Sequence, residues 1–304
     1  LNGFQDRRIQ PLCQLSVIFS KRTNLSAKYN YTCCFYKLVF TILSYIIFVF
    51  DMNIKELTPF LKLLSDESAS IIRRYFRTSI SVENKLDLSP VTIADKLAEE
   101  KMRTLIQKEF PSHGIIGEEF GSENSDAEYV WVLDPIDGTK SFISGALSFG
   151  TLVALLKNGK PIIGVINHPI LNELLVGDNQ SCLLNGSKTQ IRNCAKIAEA
   201  TLLTTEHFNI GKYQNQKKFD ELVNKVKLYR NWGDCYGYYL LATGYADLMI
   251  DPIMSIWDSM ALIPIINGAG GMITDYQGND PIIGNSIVAS NKYIHLDVIK
   301  ILNS

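Results

Sequence analysis

The chain has 304 residues, is 46% hydrophobic and 20% charged, and carries a formal net charge of −1. Length allows one large domain or two small ones with ample core, and the near-zero charge provides no basic field for nucleic acid. Cys13, Cys33, Cys34, Cys182, Cys194 and Cys235 form no C-x-x-C pair and the four histidines stand apart, which argues against a disulfide framework or structural zinc and for reduced thiols in a cytoplasm.

Residues 1–51 differ from the rest. Arg7, Arg8, Lys21, Arg22 and Lys28 precede Cys33 and Cys34, and an apolar run follows from 35 to 50. Three readings compete: an anchor or targeting segment, folded structure, or a false start ahead of a true initiator at Met52. The run is short for a span, which needs about 20 apolar residues, and no Ala-x-Ala cleavage site follows it. The composition break before Met52 favours the false start. The folded domain is therefore expected from residue 52.

From Met52 to about Arg77, Leu57, Phe60, Leu61, Leu64, Ile71, Ile72 and Tyr75 recur at helical spacing. Ser89-Pro90 breaks the chain. Thr92 with Asp95 forms a capping box for a second helix that runs to Phe110 and stops at Pro111. Residues 129–133 and 150–156 predict buried strands. Asn158-Gly159 predicts a hairpin turn, with 161–167 as the returning strand. Residues 173–176 predict another strand, and Gly177-Asp178 and Asn185-Gly186 predict turns. Beyond about 195 the pattern alternates: strand 202–205, helix 217–227, helix 236–243, strand 248–250, helix 257–267, strand 272–274. Two sheet-containing halves layered with helices, about 52–190 and 191–304, are expected. That is an α+β or α/β layered sandwich.

Three acidic segments stand out by their neighbours. Glu118 and Glu119 follow Gly117 and the apolar pair Ile115-Ile116. Asp134-Pro-Ile-Asp-Gly-Thr139 follows an apolar strand. Asp258 follows Trp257 at the start of an apolar helix. An unpaired carboxylate at a buried strand end costs several kcal/mol. Pro135 turns the chain so that Asp137 can point back toward Asp134. Gly138 permits close backbone approach, and Thr139 adds a hydroxyl. Two carboxylates, one carbonyl and one hydroxyl make an all-oxygen cation site suited to magnesium, manganese or calcium. A helix beginning at Lys140 would aim its N-terminus at phosphate. Each segment also has a plainer reading: Asp-Pro-x-Asp-Gly as a capped turn, Gly-Glu-Glu as a solvated acidic turn, Asp258 as a helix N-cap.

Gly-Glu-Glu at 117–119, Trp-Val-Leu-Asp-Pro-Ile-Asp-Gly-Thr at 131–139, Trp257-Asp-x-x-Ala261 and Gly268-Ala-Gly-Gly271 together resemble the inositol monophosphatase superfamily, in order and spacing, over 52–304. Four segments are similar, more narrowly, to its bacterial-type histidinol-phosphate phosphatase branch. These are Lys85-Leu-Asp-Leu-Ser-Pro-Val-Thr-x-Ala-Asp95, Gly138-Thr-Lys-Ser-Phe-Ile-Ser-Gly145, Phe149-Gly-Thr-Leu-Val-Ala-Leu155 and Gly233-Asp-Cys-Tyr-Gly-Tyr238.

The resemblance implies an αβαβα sandwich of the sugar phosphatase type. It implies that Glu118, Asp134 and the Ile136 carbonyl hold one magnesium, and that Asp134, Asp137 and Asp258 hold a second. A third, weaker ion would lean on Glu118, and manganese could substitute. The shared Asp134 implies ions about 4 Å apart. A water would be oriented by Thr139, itself polarised by Asp95, and phosphate would rest on the N–H groups of Gly138 and Thr139. The alcohol side would meet Asp234 and Asp251, for which helix capping and a turn are the plainer roles. Glu119, His168 and Cys235 read as supporting residues. The implied activity is magnesium-dependent hydrolysis of histidinol phosphate. The alternatives are an inositol-1-monophosphatase of broad specificity and, less favoured, a non-catalytic partner-binding protein. A homodimer acting on a small phosphorylated metabolite is implied.

Overall fold

Trp131 and its neighbours show how this sequence builds layers. In a strand, alternate residues face opposite sides. Along β5 (Tyr129–Asp137), Val130 and Val132 enter one apolar cluster, while Trp131 meets the rings of Phe60 and Phe110 on the other side. A strand apolar on both sides is a strand covered on both sides. The computed structural model describes residues 54–84 and 90–304. The 1–51 segment and residues 85–89 of the branch-like motif lie outside the described residues.

The layer over Trp131 is a pair of helices, α1 (Ile54–Tyr75) and α2 (Ile93–Glu109). Thr92 caps α2, and the reciprocal bond, donated by the Thr92 N–H to the Asp95 carboxylate, completes the predicted capping box. A short ladder of β1 (Val82–Asn84) and β2 (Pro90–Thr92) leads into α2. Eight strands form the next layer: β3 (Gly114–Gly117), β4 (Gly121–Glu123), β5, β6 (Gly150–Lys157), β7 (Lys160–His168), β8 (Glu173–Gly177), β9 (Cys182–Leu184) and β10 (Ser187–Lys188). Their order is β10-β9-β8-β7-β6-β5-β3-β4. The Asn158-Gly159 hairpin joins β6 to β7 with Lys157 opposite Lys160. The helix α3 (Thr139–Ile143) leaves the end of β5.

The second sheet runs β12-β11-β13-β15-β14, with β11 (Thr201–Leu203), β12 (Leu228–Arg230), β13 (Leu248–Asp251), β14 (Gly271–Thr274) and β15 (Ile287–Asn291). Between the sheets lie α6 (Asp234–Ala242) and α8 (Leu262–Gly268), preceded by α7 (Ile256–Ser259). Tyr238, Leu241, Leu262 and Ile265 share one cluster with Val132 and Leu152 of the first sheet and Met249 and Ala289 of the second. On the outer face, Leu248, Ile250 and Val288 pack against α4 (His207–Tyr213), α5 (Gln216–Val223) and α9 (His295–Leu302). The layering is αβαβα, as the resemblance implies.

Several boundaries differ from expectation. The predicted helix from 257 to 267 is two short helices, α7 and α8: Met260 and Ala261 between them keep helical dihedrals, but Pro264 has no N–H to bond back to Met260, and α8 lays residues 262–266 between the sheets. The predicted helix 217–227 ends at Val223, and residues 228–230 pair with β11 as β12. α6 begins two residues earlier than predicted, at Asp234. β15, α4 and α9 were not anticipated. Among the described residues, no helix is long and apolar enough to cross a membrane.

Candidate active site

Asp134 and Asp137 are three apart, so a regular strand would send them to opposite faces. The ladder prevents this. Asp134 pairs with Leu152 and Asp137 with Gly150, with a register shift between them. Pro135 and Ile136 form the irregularity, which bends the strand and turns Asp137 back toward Asp134. β3 runs parallel to β5 and ends at Gly117 opposite Leu133. The next N–H, from Glu118, donates to the Leu133 carbonyl at 3.2 Å. Glu118 is thus delivered beside Asp134.

Asp258 arrives from the first turn of α7. Ser255, not Asp258, is the N-cap, and Asp258 Oδ2 accepts the Ser255 N–H at 2.8 Å. The plainer N-cap reading of Asp258 is thereby corrected. Oxygens of Asp134, Asp137 and Asp258 all lie within 4.8 Å of one another. Burial raises the Asp134 carboxyl well above its ordinary value, and the charges of Glu118, Asp137 and Asp258 add to it. Burial does the same to Asp137, with Asp234 and Asp258 adding and the Cys235 N–H opposing. Asp258 is pushed to about 7, first by burial, with Glu118 and Asp251 adding. Asp134 Oδ1 is buried and accepts no hydrogen bond from any described residue. Clustered acids with an orphaned oxygen fit a divalent cation, which would satisfy the orphan and cancel the repulsion.

Thr139 opens α3 behind Gly138. Its hydroxyl has two acceptors within reach, Ile136 O at 3.0 Å and Asp95 Oδ1 at 3.4 Å. The other Asp95 oxygen accepts both the Thr92 N–H (2.8 Å) and the Thr92 hydroxyl (2.6 Å). Asp95 is buried, which raises its carboxyl, while the Thr92 bonds oppose the rise.

Asp234 and Asp251 border the same cavity as Asp137 and Asp258, a space of about 110 Å³. Asp234 does not cap α6, since Gly233 occupies that position. Its φ of 52° lies in the left-handed region, a strain of about 1 kcal/mol that surrounding bonds must hold. Its N–H donates to Thr205 Oγ1 at 2.9 Å and its Oδ2 accepts the Ser141 hydroxyl at 3.1 Å. Burial lifts Asp234 to about 6, with Asp251 adding. Asp251 is the last residue of β13, not a turn residue. Its oxygens accept the Thr205 N–H at 3.0 Å and the Tyr238 hydroxyl at 2.9 Å.

Gly138 has φ 83°, and a Cβ there would sit 2.7 Å from Asp234 Oδ2. Gly138→Ala should therefore cost about 1–2 kcal/mol, read by urea unfolding. It should also depress phosphate release by displacing Asp234. Unchanged stability would mean that the turn can relax.

His168 is buried, with Nδ1 2.9 Å from Phe149 O, and burial holds it down to about 4. Burial drives the Cys235 thiol well up. Both fit supporting roles. Sequence reasoning missed Thr205, Tyr238, Ser141, Glu206 and the Glu99–Arg103 pair. That pair left a trace as a Glu and an Arg four residues apart on a predicted helix, and Ser141 and Tyr238 stood within the branch-like segments 138–145 and 233–238 without an assigned role.

The family model described as the inositol monophosphatase family matches residues 53–304. The chloroplastic bifunctional phosphatase IMPL2 of Arabidopsis thaliana is 48% identical over 218 residues, 71% of this chain and 63% of that protein. The chain thus spans less than two thirds of that relative's length. A histidinol-phosphatase of Chlorobaculum parvum is 40% identical over 241 residues, 77% of this chain and 93% of that one. The solved inositol monophosphatase of Zymomonas mobilis superposes with TM-score 0.75 at 36% identity, over 84% of this chain and 100% of that one. With this match and the layered fold, the chain belongs to the inositol monophosphatase family, a family of metal-dependent phosphatases.

Proposed function

We propose that this chain is a magnesium-dependent phosphomonoesterase that hydrolyses histidinol phosphate to histidinol and phosphate. One observation carries the reading: a single cavity is lined by five carboxylates. Asp137 and Asp258, which cluster with Asp134, form one group. Asp234, Asp251 and Glu206 form a second, and Lys140 lies 3.3 Å from Glu206. The first group suits cations that neutralise phosphate. The second suits an alcohol that carries an ammonium group.

Glu118, Asp134 and the Ile136 carbonyl would hold one ion, and Asp134, Asp137 and Asp258 a second. A third, weaker ion would lean on Glu118, and manganese could replace magnesium. Bound there, the ions would stabilise charge on the phosphate and lower the pKa of a water. The chain's own residues do the rest. The single Thr139 proton can go to Asp95 Oδ1, which leaves Thr139 Oγ1 able to accept a proton from the attacking water. Thr92 holds Asp95 for that role. The water oxygen bonds to phosphorus as the phosphorus–alcohol oxygen bond breaks; the water's proton passes through Thr139 to Asp95, and the departing alkoxide takes a proton from a solvent water. The N–H groups of Gly138 and Thr139 would hold the phosphate, and Asp234 and Asp251 would orient the departing alcohol.

The discriminating assay measures phosphate release from histidinol phosphate and from inositol 1-phosphate, with and without magnesium. The expected result is magnesium-dependent release that favours histidinol phosphate. Asp234→Asn should raise KM for histidinol phosphate by about tenfold, the value of one weakened charge-assisted contact. It should barely change KM for an uncharged-alcohol ester. A tenfold preference for the inositol ester would instead establish the second reading, which the Zymomonas mobilis likeness favours. The family resemblance further implies a homodimer, and the scattered cysteines suit a cytoplasm; sedimentation and cell fractionation would check both.

A further inference from the structure

Charged residues on a buried helix face need a reason. α2 carries three, spaced four apart: Asp95, Glu99 and Arg103 are all buried. That spacing puts them on one stripe of the helix. Asp95 serves Thr139. Glu99 and Arg103 face the segment that follows Glu118.

Their bonds are directed at consecutive residues. Glu99 Oε2 accepts the Glu119 N–H at 2.8 Å, and Oε1 accepts the Phe120 N–H at 3.2 Å. Arg103 Nε donates to Glu99 Oε1 at 2.8 Å, and its Nη2 donates to the Gly121 carbonyl. Glu118 is therefore clamped from two sides, by the Leu133 carbonyl through its own N–H and by α2 through the next three residues. The fit leaves no room for a side chain at Gly117, where a Cβ would stand 2.0 Å from Glu99 Oε1 and 2.8 Å from Arg103 Nη2. Glu99 has no exposed side-chain surface and Arg103 only 11%. Neither borders the cavity.

We propose that Glu99 and Arg103 are positioning residues that fix the Glu118 carboxylate against Asp134 and so set the affinity of the site for divalent metal. This rests on the reading of Glu118 as a metal ligand. One helix then aligns both the Thr139 partner and the Glu118 turn.

The test is a manganese titration followed by electron paramagnetic resonance, without substrate, on three proteins. They are the unaltered enzyme, Glu99→Gln, and the double variant E99L/R103M, in which an apolar pair replaces the ions and can preserve the fold. The dissociation constant should rise about 10–100-fold in the double variant, as for other partners of metal ligands, and less in Glu99→Gln, which keeps one acceptor oxygen. Phosphate release should fall at limiting manganese and recover as manganese is raised. Circular dichroism shows whether the double variant is folded. If it is not, Glu99→Gln decides alone. Unchanged manganese affinity in a folded variant overturns the proposal. So does a rate loss that saturating manganese fails to reverse. If the unaltered enzyme binds no manganese, the metal reading fails and takes this inference with it.

Discussion

Asp137→Asn should abolish phosphate release while leaving a metal-free protein more stable than the parent. Metal assistance is worth several kcal/mol of transition-state stabilisation, so loss of a direct ligand should lower turnover about 10³-fold or more. The stability gain has a separate cause. Burial and the charges of Asp234 and Asp258 raise the Asp137 carboxyl well above its ordinary value, so folding is penalised wherever that acid would otherwise ionise. An asparagine carries no such penalty and can still accept the Cys235 N–H through its carbonyl oxygen. At pH 8 without magnesium the variant should therefore melt at a higher temperature than the parent. Melting curves paired with phosphate assays check both halves. Normal turnover would remove Asp137 from the metal site, and a lower Tm would mean that repulsion is not the dominant force there.

The second large effect is a pH dependence that magnesium cancels. Asp234 titrates near 6 and Asp258 near 7 in the folded protein, both raised from 3.8 mainly by burial. A raised acid binds its proton more tightly folded than unfolded. Below about pH 4 both states are protonated and nothing is lost. As pH climbs from there to about 7, the unfolded chain releases protons that the folded chain keeps, so metal-free stability falls across that window. Each pKa unit is worth about 1.4 kcal/mol. Because the acids share one cluster, their losses do not add fully, and about 3 kcal/mol between pH 5 and 8 is expected. That is roughly 6–12 °C in Tm. Magnesium should restore the loss at pH 8 and do little at pH 5, where protons compete for the same oxygens. Melting profiles that run parallel with and without magnesium would refute the cation assignment.

The sequence made the strands at 129–133, 150–156 and 161–167 legible because they are buried on both faces and bounded by turn residues. The Thr92–Asp95 capping box was legible for the same local reason. The short strands were not. β12 is three residues long and exists because β11 lies beside it, which no local pattern encodes. The split between α7 and α8 was hidden because Met260 and Ala261 keep helical dihedrals, so the apolar periodicity runs through it. In the site, the acidic segments were visible as carboxylates after apolar strands. The strand irregularity at Pro135-Ile136 that brings two of them together was visible only as a turn signal. Thr205 carries nothing unusual in its neighbours, and Tyr238 shows only as the last residue of a branch-like motif. Their part in holding Asp234 and Asp251 depends on β11, α6 and β13 meeting in space. Glu99 and Arg103 show the opposite failure. Their spacing is that of an ordinary solvent-facing pair, and only burial distinguishes them.

The cleft draws on both sheets and on the helices between them. Asp134, Asp137 and Glu118 come from one sheet, while Asp258, Asp234 and Asp251 come from α7, α6 and β13. Contacts between segments so distant in the chain form late, because closing long loops must precede them. The electrostatic cost of the finished site should therefore fall late in folding. Magnesium accordingly should slow unfolding rather than speed folding, and act as a latch on a structure already assembled.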